Sequence, residues 1–404
     1  MVFIQRELES EINKYITDTE IIAVVGSRQC GKTTLVNKIF ERLENNGKKT
    51  SKVSFDNMQV LMLFEEDVES FIEKYIIGFD FLFIDEIQYS KDSGKKLKYI
   101  YDSQKIKLFI SGSSASEISI QSIKYLVGRI HLFNLYPFSF KEYLRAKDEK
   151  LMRIYEKGNY KNTITKELNK HLIEFNTYGG YPKVVLLKDK EKKEKTLLDI
   201  YNIFLLKEVK ELLGLSSDYK LINLIKALSL QMGNIINYNE LSNITGFSFV
   251  DLKKYLNVLE KTFICKQIRP FFKNKRVELV KSPKIYFFDL GFRNACINNF
   301  TKERSDIGAI YENFIFSELQ KRNLETKYWQ SKSGAEVDFV VEKNNDLTAI
   351  EVKTNLIKPI STKAIQSFIH KYSPTKVLVL SKEFETKIKS IQYAPHTKLN
   401  KCVP

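Results

Sequence analysis

Short apolar runs alternate with amphipathic helical patterns along residues 1–140. Each run is largely apolar, a pattern typical of strands that are buried on both faces of a parallel sheet. The helical patterns between the runs would supply the crossover connections that parallel strands require. The runs are Ile21–Val25, Lys52–Phe55, Phe81–Ile84 and Leu108–Ile110. The pattern predicts an α/β domain with a parallel sheet over residues 1–140.

Helical patterns and charge dominate the next part of the chain. Residues 141–215 are predicted to form a helical extension, which the sequence Tyr178-Gly179-Gly180-Tyr181-Pro182 interrupts as a turn. Residues 187–196 carry a run of charges that is typical of a solvated helix face or a linker.

Residues 216–300 show the order of elements that defines a winged helix. That order is a helix, then a helix-turn-helix, then a two-stranded wing. Asn239 is the expected N-cap of the second helix, and Gly246 is expected to end it. The predicted elements are helices at 221–232, at 239–245 and from 248 or 249 to 263, and strands at 264–269 and 284–289.

The pattern over residues 301–404 predicts a small α/β domain. The turn Lys343-Asn344-Asn345-Asp346 separates two strand patterns and indicates a β-hairpin. The predicted elements are helices at 308–322 and 363–370 and strands at 336–341, 347–352 and 376–380.

A phosphate-binding loop is the first chemical signal along the chain. Residues 26–33, Gly-Ser-Arg-Gln-Cys-Gly-Lys-Thr, match G-x-x-x-x-G-K-[ST] between an apolar strand and an amphipathic helix. Gly26 and Gly31 allow the backbone to aim N–H groups at phosphates, Lys32 adds a positive charge near the β/γ-phosphates, and Thr33 offers a hydroxyl to Mg²⁺. The expected ATP-binding residues are Gly26, Ser27, Arg28, Gln29, Cys30, Gly31, Lys32, Thr33 and Thr34.

Two acids end the apolar run at 81–84. Asp85 is expected to hold Mg²⁺ through water, and Glu86 to polarise the water that attacks the γ-phosphate. Because both acids are present, the sequence predicts an ATPase that uses ATP and Mg²⁺, and not only a nucleotide sensor.

Two further residues are candidates for catalytic roles. Ser113 ends a third apolar strand and could lie between the phosphate and the water, although the same sequence suits an ordinary β–α turn. Arg129 could stabilise transition-state charge within its own chain or on a neighbouring one, or it could be an ordinary surface arginine.

The predicted C-terminal hairpin carries a second candidate site. Glu351 and Lys353 point to one face because strand side chains alternate, and Asp338 lies on the paired strand. Two carboxylates and a lysine suit a divalent metal and phosphodiester hydrolysis, with Glu312 as a third acid on the preceding helix. The alternative is a solvated hairpin.

Basic residues cluster between positions 269 and 284. Six cations face one acid, Glu278, and Phe271 and Phe272 lie among them; the cations are Arg269, Lys273, Lys275, Arg276, Lys281 and Lys284. A wing with this charge would contact nucleic-acid phosphates. The alternatives are a solvated hairpin and a winged helix that only packs against the ATPase.

Composition narrows the class of protein. The 404 residues carry a formal net charge of +16, which suits a polyanionic partner but also suits the Lys-rich usage of an AT-rich genome. The four cysteines and four histidines show no metal-ligand spacing. The first residues lack the apolar segment of a signal peptide, and no run of about 18 apolar residues is present. A cytoplasmic protein that does not cross a membrane is expected.

In combination, these motifs resemble the archaeal and bacterial AAA-type ATPases that carry a C-terminal domain of uncharacterised function. The resemblance rests on residues 26–33, Phe-Ile-Asp-Glu-Ile-Gln at 83–88, Ser-Gly-Ser-Ser at 111–114, Leu-Val-Gly-Arg at 126–129, Leu-Tyr-Pro-Phe-Ser-Phe-Lys-Glu-Tyr-Leu at 135–144, Tyr-Gly-Gly-Tyr-Pro at 178–182, Ser-Gly-Ala-Glu-Val-Asp-Phe at 333–339 and Ile-Glu-Val-Lys at 350–353. It spans nearly the whole chain. It implies an AAA-like core, a winged helix and a C-terminal domain similar to PD-(D/E)xK nucleases, which are restriction-endonuclease-like. Val337 stands where the superfamily pattern has its proline.

The expected architecture is therefore a multidomain α/β protein with boundaries at 1–140, 141–215, 216–300 and 301–404. The leading hypothesis is an ATPase that acts on DNA, in which ATP hydrolysis reorients the winged helix and a Mg²⁺-dependent nuclease-like domain. One alternative is an ATP-dependent switch that binds nucleic acid or protein through an inactive nuclease-like domain. A third is a signal-transducing ATPase whose winged helix is only a structural arm. The sequence does not fix the oligomeric state.

Overall fold

The computed structural model describes residues 3–113, 125–203 and 219–403, and of Ser113 it describes the backbone only. The chain forms two compact units. The N-terminal unit comprises Met1–Pro137 with Lys261–Phe263, and the C-terminal unit comprises Phe138–Glu260 with Ile264–Pro404.

The N-terminal unit contains a five-stranded parallel sheet in the order β2-β3-β4-β1-β5, as the apolar runs predicted. The strands are β1 Ile21–Gly26, β2 Thr50–Ser54, β3 Phe81–Asp85, β4 Lys107–Ser113 and β5 Ile130–Asn134. The helices described between them are α1 Glu7–Asn13, α2 Lys32–Asn45, α3 Met58–Glu66, α4 Val68–Tyr75 and α5 Ser93–Ser103, with a 3₁₀ turn at Ile87–Tyr89. Strand β5 gave no clear signal in the sequence because it lies at the sheet edge and its side chains are only partly buried.

Helix α2 is fixed to the sheet by one apolar face. Its buried residues Leu35, Val36, Ile39 and Phe40 follow the spacing of a helix that covers a core. The ring of Phe40 lies 5.2 Å from that of Phe109, nearly edge to face. This packing holds the first turn of α2 at the carboxyl end of β1.

The C-terminal unit begins with helices. These are α6 Phe140–Lys147, α7 Glu149–Lys157, α8 Asn162–Tyr178, α9 Pro182–Leu186, α10 Lys190–Ile203, α11 Tyr219–Leu230, α12 Tyr238–Thr245 and α13 Phe249–Lys261. Asn237 caps α12 by accepting from the N–H groups of Asn239 and Glu240, so the expected cap at Asn239 is wrong by two residues. Gly246 ends that helix at a φ of 67°, as predicted.

The charge run at 187–196 is only partly solvated. Lys193 is buried on α10, and its ammonium group donates to the carboxylate of Glu174. That residue therefore contributes to a buried ion pair and not to a linker.

Strands β6 Cys265–Ile268 and β7 Lys284–Phe287 form the expected antiparallel pair, but the segment between them is not an extended basic wing. It contains a short helix, α14 Lys275–Val280. Phe271 is buried in the core of the following domain, Glu278 pairs with Lys327 at 2.7 Å, and Lys284 is 3% exposed. These three residues are thus removed from any phosphate-contacting surface.

The last part of the chain forms a six-stranded mixed sheet in the order β12-β13-β11-β10-β9-β8. The predicted hairpin is present, because β9 and β10 pair in antiparallel fashion. The strands are β8 Thr326–Gln330, β9 Glu336–Lys343, β10 Asp346–Val352, β11 Lys376–Ser381, β12 Thr386–Ile388 and β13 Ile391–Pro395. The helices are α15 Leu290–Cys296, α16 Ile307–Lys321, α17 Lys363–Tyr372 and α18 Leu399–Cys402, with a 3₁₀ turn at His396–Lys398. None of the helices described is long and apolar enough to cross a membrane.

The Tyr-Gly-Gly-Tyr-Pro turn is closely packed against other backbone segments of the C-terminal unit. The carboxylate of the buried Asp289 accepts from the N–H groups of Gly180, at 2.7 Å, and Phe292, at 2.9 Å. A Cβ atom on Gly180 would lie 2.3 Å from the carbonyl oxygen of Phe138. Only glycine allows the backbones to approach this closely.

Replacement of Gly180 by alanine is therefore expected to lower the free energy of unfolding by about 1–3 kcal/mol, because the added carbon overpacks a site made of backbone atoms. Urea denaturation followed by circular dichroism would measure the change. Gly308→Ala is the matched control. Its Cβ would lie 3.7 Å from the nearest heavy atom, Thr354 Oγ1, on helix α16. That change should stabilise the helix by about 0.5–1 kcal/mol. Equal effects of the two changes would contradict the packing argument.

Candidate functional site

The loop between β1 and α2 has the backbone that phosphate binding requires. Gly31 has a φ of 97° and immediately precedes the helix. A Cβ on Gly26 would lie 2.1 Å from the carbonyl oxygen of Leu135. Both glycines of the motif are thus required by geometry, and the loop leads directly into the N-terminus of a 14-residue helix.

Polar groups inside the loop are arranged around its centre. The buried ammonium group of Lys32 donates to the carbonyl oxygens of Gly26 and Ser27, each at 3.0 Å. The hydroxyl oxygen of Ser27 is buried and has no hydrogen-bond partner within the described residues. A bound phosphate would supply the partner that this hydroxyl lacks.

Arg6 supports the loop from outside, which the sequence motif did not indicate. Its guanidinium group donates to the carbonyl oxygen of Cys30 at 2.8 Å and to that of Tyr136 at 2.6 Å. No motif includes Arg6, which precedes the loop by about 20 residues.

Asp85 lies beside Thr33 at the carboxyl end of the sheet. The Thr33 hydroxyl donates to Asp85 Oδ2 at 2.7 Å, and the buried Ser111 hydroxyl donates to Asp85 Oδ1. The backbone N–H of Glu86 donates to the same Oδ1 at 3.1 Å. The structure thus brings together the two residues that the sequence assigned to Mg²⁺ and adds Ser111, which holds the carboxylate.

Glu86 follows Asp85 in an unusual backbone conformation. Its φ is 55°, in the left-handed region that non-glycine residues seldom adopt, and such strain occurs preferentially at functional sites. The side-chain amide of Gln88 donates to its carboxylate. Gln88 therefore fixes the orientation of the residue that the sequence assigned to water activation.

The two remaining candidates of this site differ in position. The backbone of Ser113 pairs with Gly26 at the carboxyl end of the sheet, while its side chain lies outside the described part of the chain. Arg129 lies at the opposite end, where its carbonyl oxygen accepts from Ile21 N at 2.8 Å. Strand β1 separates the two ends by roughly 16 Å. Arg129 pairs with Asp102 at 3.0 Å, so the expected role within its own chain is wrong, and a role toward a neighbouring chain stays a prediction.

The C-terminal unit gathers the second set of candidates at the hairpin. Lys353 Nζ lies 2.7 Å from Glu351 Oε1, and Asp338 Oδ2 accepts from Val352 N at 2.6 Å. Burial, together with the carboxylates of Glu312 and Glu351, raises the pKa of Asp338 well above its usual value. Burial also raises the pKa of Glu351, although Lys353 opposes the shift. The buried Glu351 Oε2 has no hydrogen-bond partner within the described residues.

Glu312, the third acid of the predicted set, pairs with other residues, although its charge still acts on Asp338 and Glu351. Its carboxylate pairs with Lys284 at 3.4 Å and accepts from the Tyr286 hydroxyl. Within the described residues, the carboxylates of Glu312, Asp338 and Glu351 do not all lie within 4.8 Å of one another. Glu336, which the sequence did not single out, also pairs with Lys284.

One compact group of metal-ligating residues is found in the described part of the chain, and it lies elsewhere. Ligand atoms of Asp18, Glu20 and His131 lie within 4.8 Å of one another in the N-terminal unit. The three side chains are partly or largely exposed, as are many surface ion pairs.

The parallel sheet, the loop and the two acids at its edge define a P-loop nucleotide-binding domain. Comparison with known proteins agrees with this class. Residues 18–144 match the model of the AAA domain, so this part of the chain is an AAA-type ATPase domain. Residues 169–303 match the domain of unknown function DUF8612, and residues 307–399 match the domain of unknown function DUF4143.

Relatives of similar length are uncharacterised. An uncharacterised protein of Haemophilus influenzae is 25% identical over 395 residues, which cover 93% of each chain. The uncharacterised protein MJ1544 of Methanocaldococcus jannaschii is 24% identical over 83% of this chain and 75% of its own. Among solved structures, the replication initiator DnaA bound to AMPPCP and single-stranded DNA gives a TM-score of 0.31 at 16% identity, covering 64% of this chain and 90% of that one. Cdc6p from Pyrobaculum aerophilum gives 0.28 at 13% identity, covering 74% and 95%.

Replacement of Ser111 by alanine is expected to weaken Mg²⁺-dependent nucleotide binding by about tenfold, because residues that orient a metal-binding carboxylate typically have effects of that size. Titration of a fluorescent ATP analogue with and without Mg²⁺ would measure it. Ser51→Ala is the matched control, since Ser51 is buried in the same sheet on strand β2. A Ser111 variant that binds like the parent would show that Asp85 needs no such support.

Proposed function

We propose that the protein binds ATP with Mg²⁺ at residues 26–34 and hydrolyses it. The observation that carries this proposal is the contact between the Thr33 hydroxyl and Asp85 Oδ2 at 2.7 Å. Thr33 lies in the first turn of α2 and Asp85 ends β3, and the pair is of the kind that holds Mg²⁺ in P-loop ATPases. When bound, Mg²⁺ would neutralise part of the phosphate charge.

The other residues of the site have separate roles in binding the phosphates and in activating the water. The N–H groups at the start of α2 and the Lys32 ammonium group bind the phosphates, once Lys32 exchanges its two carbonyl partners for phosphate oxygens. The Glu86 carboxylate orients a water and accepts its proton as the water attacks. Gln88 holds that carboxylate in place.

Replacement of Glu86 by glutamine is expected to lower ATP hydrolysis by about 100-fold or more while ATP binding persists, because the amide cannot accept the proton. Lys32→Ala should weaken binding itself. Phosphate release and equilibrium binding of labelled ATP would separate the two effects. Glu73→Gln, on the exposed face of α4, is the matched control. The assignment fails if Glu86→Gln hydrolyses ATP at the rate of the parent.

We further propose that the C-terminal unit acts on DNA through a Mg²⁺-dependent site at Asp338 and Glu351. Two observations favour it over a solvated hairpin. Burial and the neighbouring carboxylates of Glu312 and Glu351 raise the pKa of Asp338, and the buried Glu351 Oε2 has no partner among the described residues. A divalent cation would satisfy both conditions, and carboxylate oxygens are the ligands that Mg²⁺ prefers.

Lys353 would have a separate role at that site. Its side chain is 38% exposed, and its ammonium group lies 2.7 Å from Glu351 Oε1. From there it can position a water or a phosphate oxygen beside the cation. A cation at this site would be held by Asp338 and Glu351, while Glu312 pairs with Lys284.

Exposed cations near the strand pair β6–β7 could contact the DNA backbone. Lys273, Arg276 and Lys281 are exposed and form no ion pair with a described residue. Such contacts are expected to weaken as salt increases.

Asp338→Asn is expected to abolish Mg²⁺-dependent nicking of supercoiled plasmid, because it removes one of the two carboxylates that would hold the cation. Asp346→Asn is the matched control, since Asp346 is exposed on strand β10. Gel assays with and without ATP would also show whether hydrolysis is coupled to cutting. Nicking that survives Asp338→Asn would exclude this site. Salt-sensitive DNA binding without nicking would instead favour an ATP-dependent switch with an inactive nuclease-like domain.

A further inference from the structure

A cavity of about 470 Å³ lies in the C-terminal unit, and its lining does not include the carboxylates of the hairpin site. The end of helix α8, the segment that precedes α16 and the two residues after Lys353 line it. Sites for small ligands commonly occupy about 300–1,000 Å³. The cavity is therefore large enough for a ligand of moderate size.

The residues that line the cavity include three cations and one acid. Lys302 and Lys382 line it, and neither forms an ion pair within the described residues. Arg304 also lines it, with a guanidinium group held by Asp306 and Asn294. Glu303 is the one acid among the lining residues. An anionic ligand would find two uncommitted ammonium groups here.

Further hydrogen-bond donors also line the cavity. Thr354 and Asn355 are exposed, line the cavity and make no side-chain hydrogen bond to a described residue. Helix α16 begins at the cavity with Ile307, and its N-cap, Asp306, makes no side-chain cap because its carboxylate pairs with Arg293 and Arg304. The first N–H groups of a 15-residue helix are thus left for another acceptor.

The cavity lining also includes apolar residues and one polar atom without a partner. Ile173, Ile310 and Tyr311 supply the apolar wall, and the ring of Tyr311 is held by stacking on His396 at a centroid distance of 4.4 Å. Asn176 also lines the cavity, is 5% exposed, and its Oδ1 has no hydrogen-bond partner within the described residues. A ligand that contacts these residues would combine an apolar or aromatic group with a hydrogen-bond donor.

We propose that this cavity binds a nucleotide. A phosphate group would contact Lys302, Lys382 and the donors beside them, the base would lie on the apolar wall, and a sugar hydroxyl or an imino or amino group of the base would donate to Asn176 Oδ1. Few ligand classes unite an anion, a flat ring and a donor within such a volume. The nucleotide could be free or could belong to a single strand, since both present the same groups. Neither ATP hydrolysis nor the hairpin cation is required for this binding.

The test uses the full chain with Lys32→Ala, which removes phosphate binding at the P-loop, in a buffer with a metal chelator. Calorimetric titrations with thymidine 5′-monophosphate, with thymidine and with an oligothymidylate strand distinguish the phosphate from the ring and the free nucleotide from the strand. We expect saturable binding of the monophosphate that is stronger than that of thymidine and that weakens with salt.

In this background, Lys302→Gln with Lys382→Gln is expected to lower the affinity by about tenfold or more, because two charge-assisted contacts are lost. Asn355→Glu should have the same effect by placing a negative charge at the cavity. The control is Lys190→Gln with Lys192→Gln, which removes the same charge from two exposed positions of α10 that do not line the cavity.

Loss of oligothymidylate binding in the cavity variants, with no binding of the monophosphate to the parent, would assign the cavity to a nucleotide within a strand. The proposal is overturned if neither ligand binds the parent, or if the cavity variants bind both ligands as tightly as the control. Circular dichroism of each variant ensures that a lost affinity is not a lost fold.

Discussion

A carboxylate that leaves water has to recover its hydrogen bonds within the protein, and this constraint organises each of the two units. In the N-terminal unit, Asp85 accepts from the Thr33 and Ser111 hydroxyls, so α2, β3 and β4 meet at one point. In the C-terminal unit, burial raises the pKa of Asp289 while the N–H of Gly180 opposes the shift. The hydrogen bonds of Asp85 position residues of the candidate nucleotide site, whereas those of Asp289 stabilise the packing of the turn at Gly180.

The carboxylates near the β9–β10 hairpin, which belong to Glu312, Glu336, Asp338 and Glu351, are only partly compensated by hydrogen bonds and positive charges. Lys284 pairs with both Glu312 and Glu336, and its own pKa rises because the nearby carboxylates outweigh the effect of burial. Asp338 and Glu351 are left with a backbone N–H and one lysine between them. Buried carboxylates whose charge is not balanced by nearby cations favour the binding of a metal ion. An ion-pair network whose charges balance does not.

The sequence predicted features that lie in contiguous stretches and missed those that depend on register or on distant residues. The P-loop and the strand before Asp85 each occupy one short segment, so motif and periodicity identify them. No motif assigns a role to Ser111, and only the pairing of Ile84 with Ile110 shows that Ser111 is level with Asp85. The sequence assigned Lys284 to a basic surface. Its carboxylate partners lie about 30 and 50 positions further along the chain, so the pairing could not be predicted from the local sequence.

Cys30 lies within the phosphate-binding loop, and its side chain is fully buried. Its sulfur would be 3.1 Å from a Cβ on Gly26, so it packs closely against the first residue of the loop. A thiol in this position can react with an external reagent only while the loop is open, and the reaction rate therefore measures how often the loop opens. The chain thus carries a native chemical reporter of loop dynamics at the place where nucleotide occupancy would alter them.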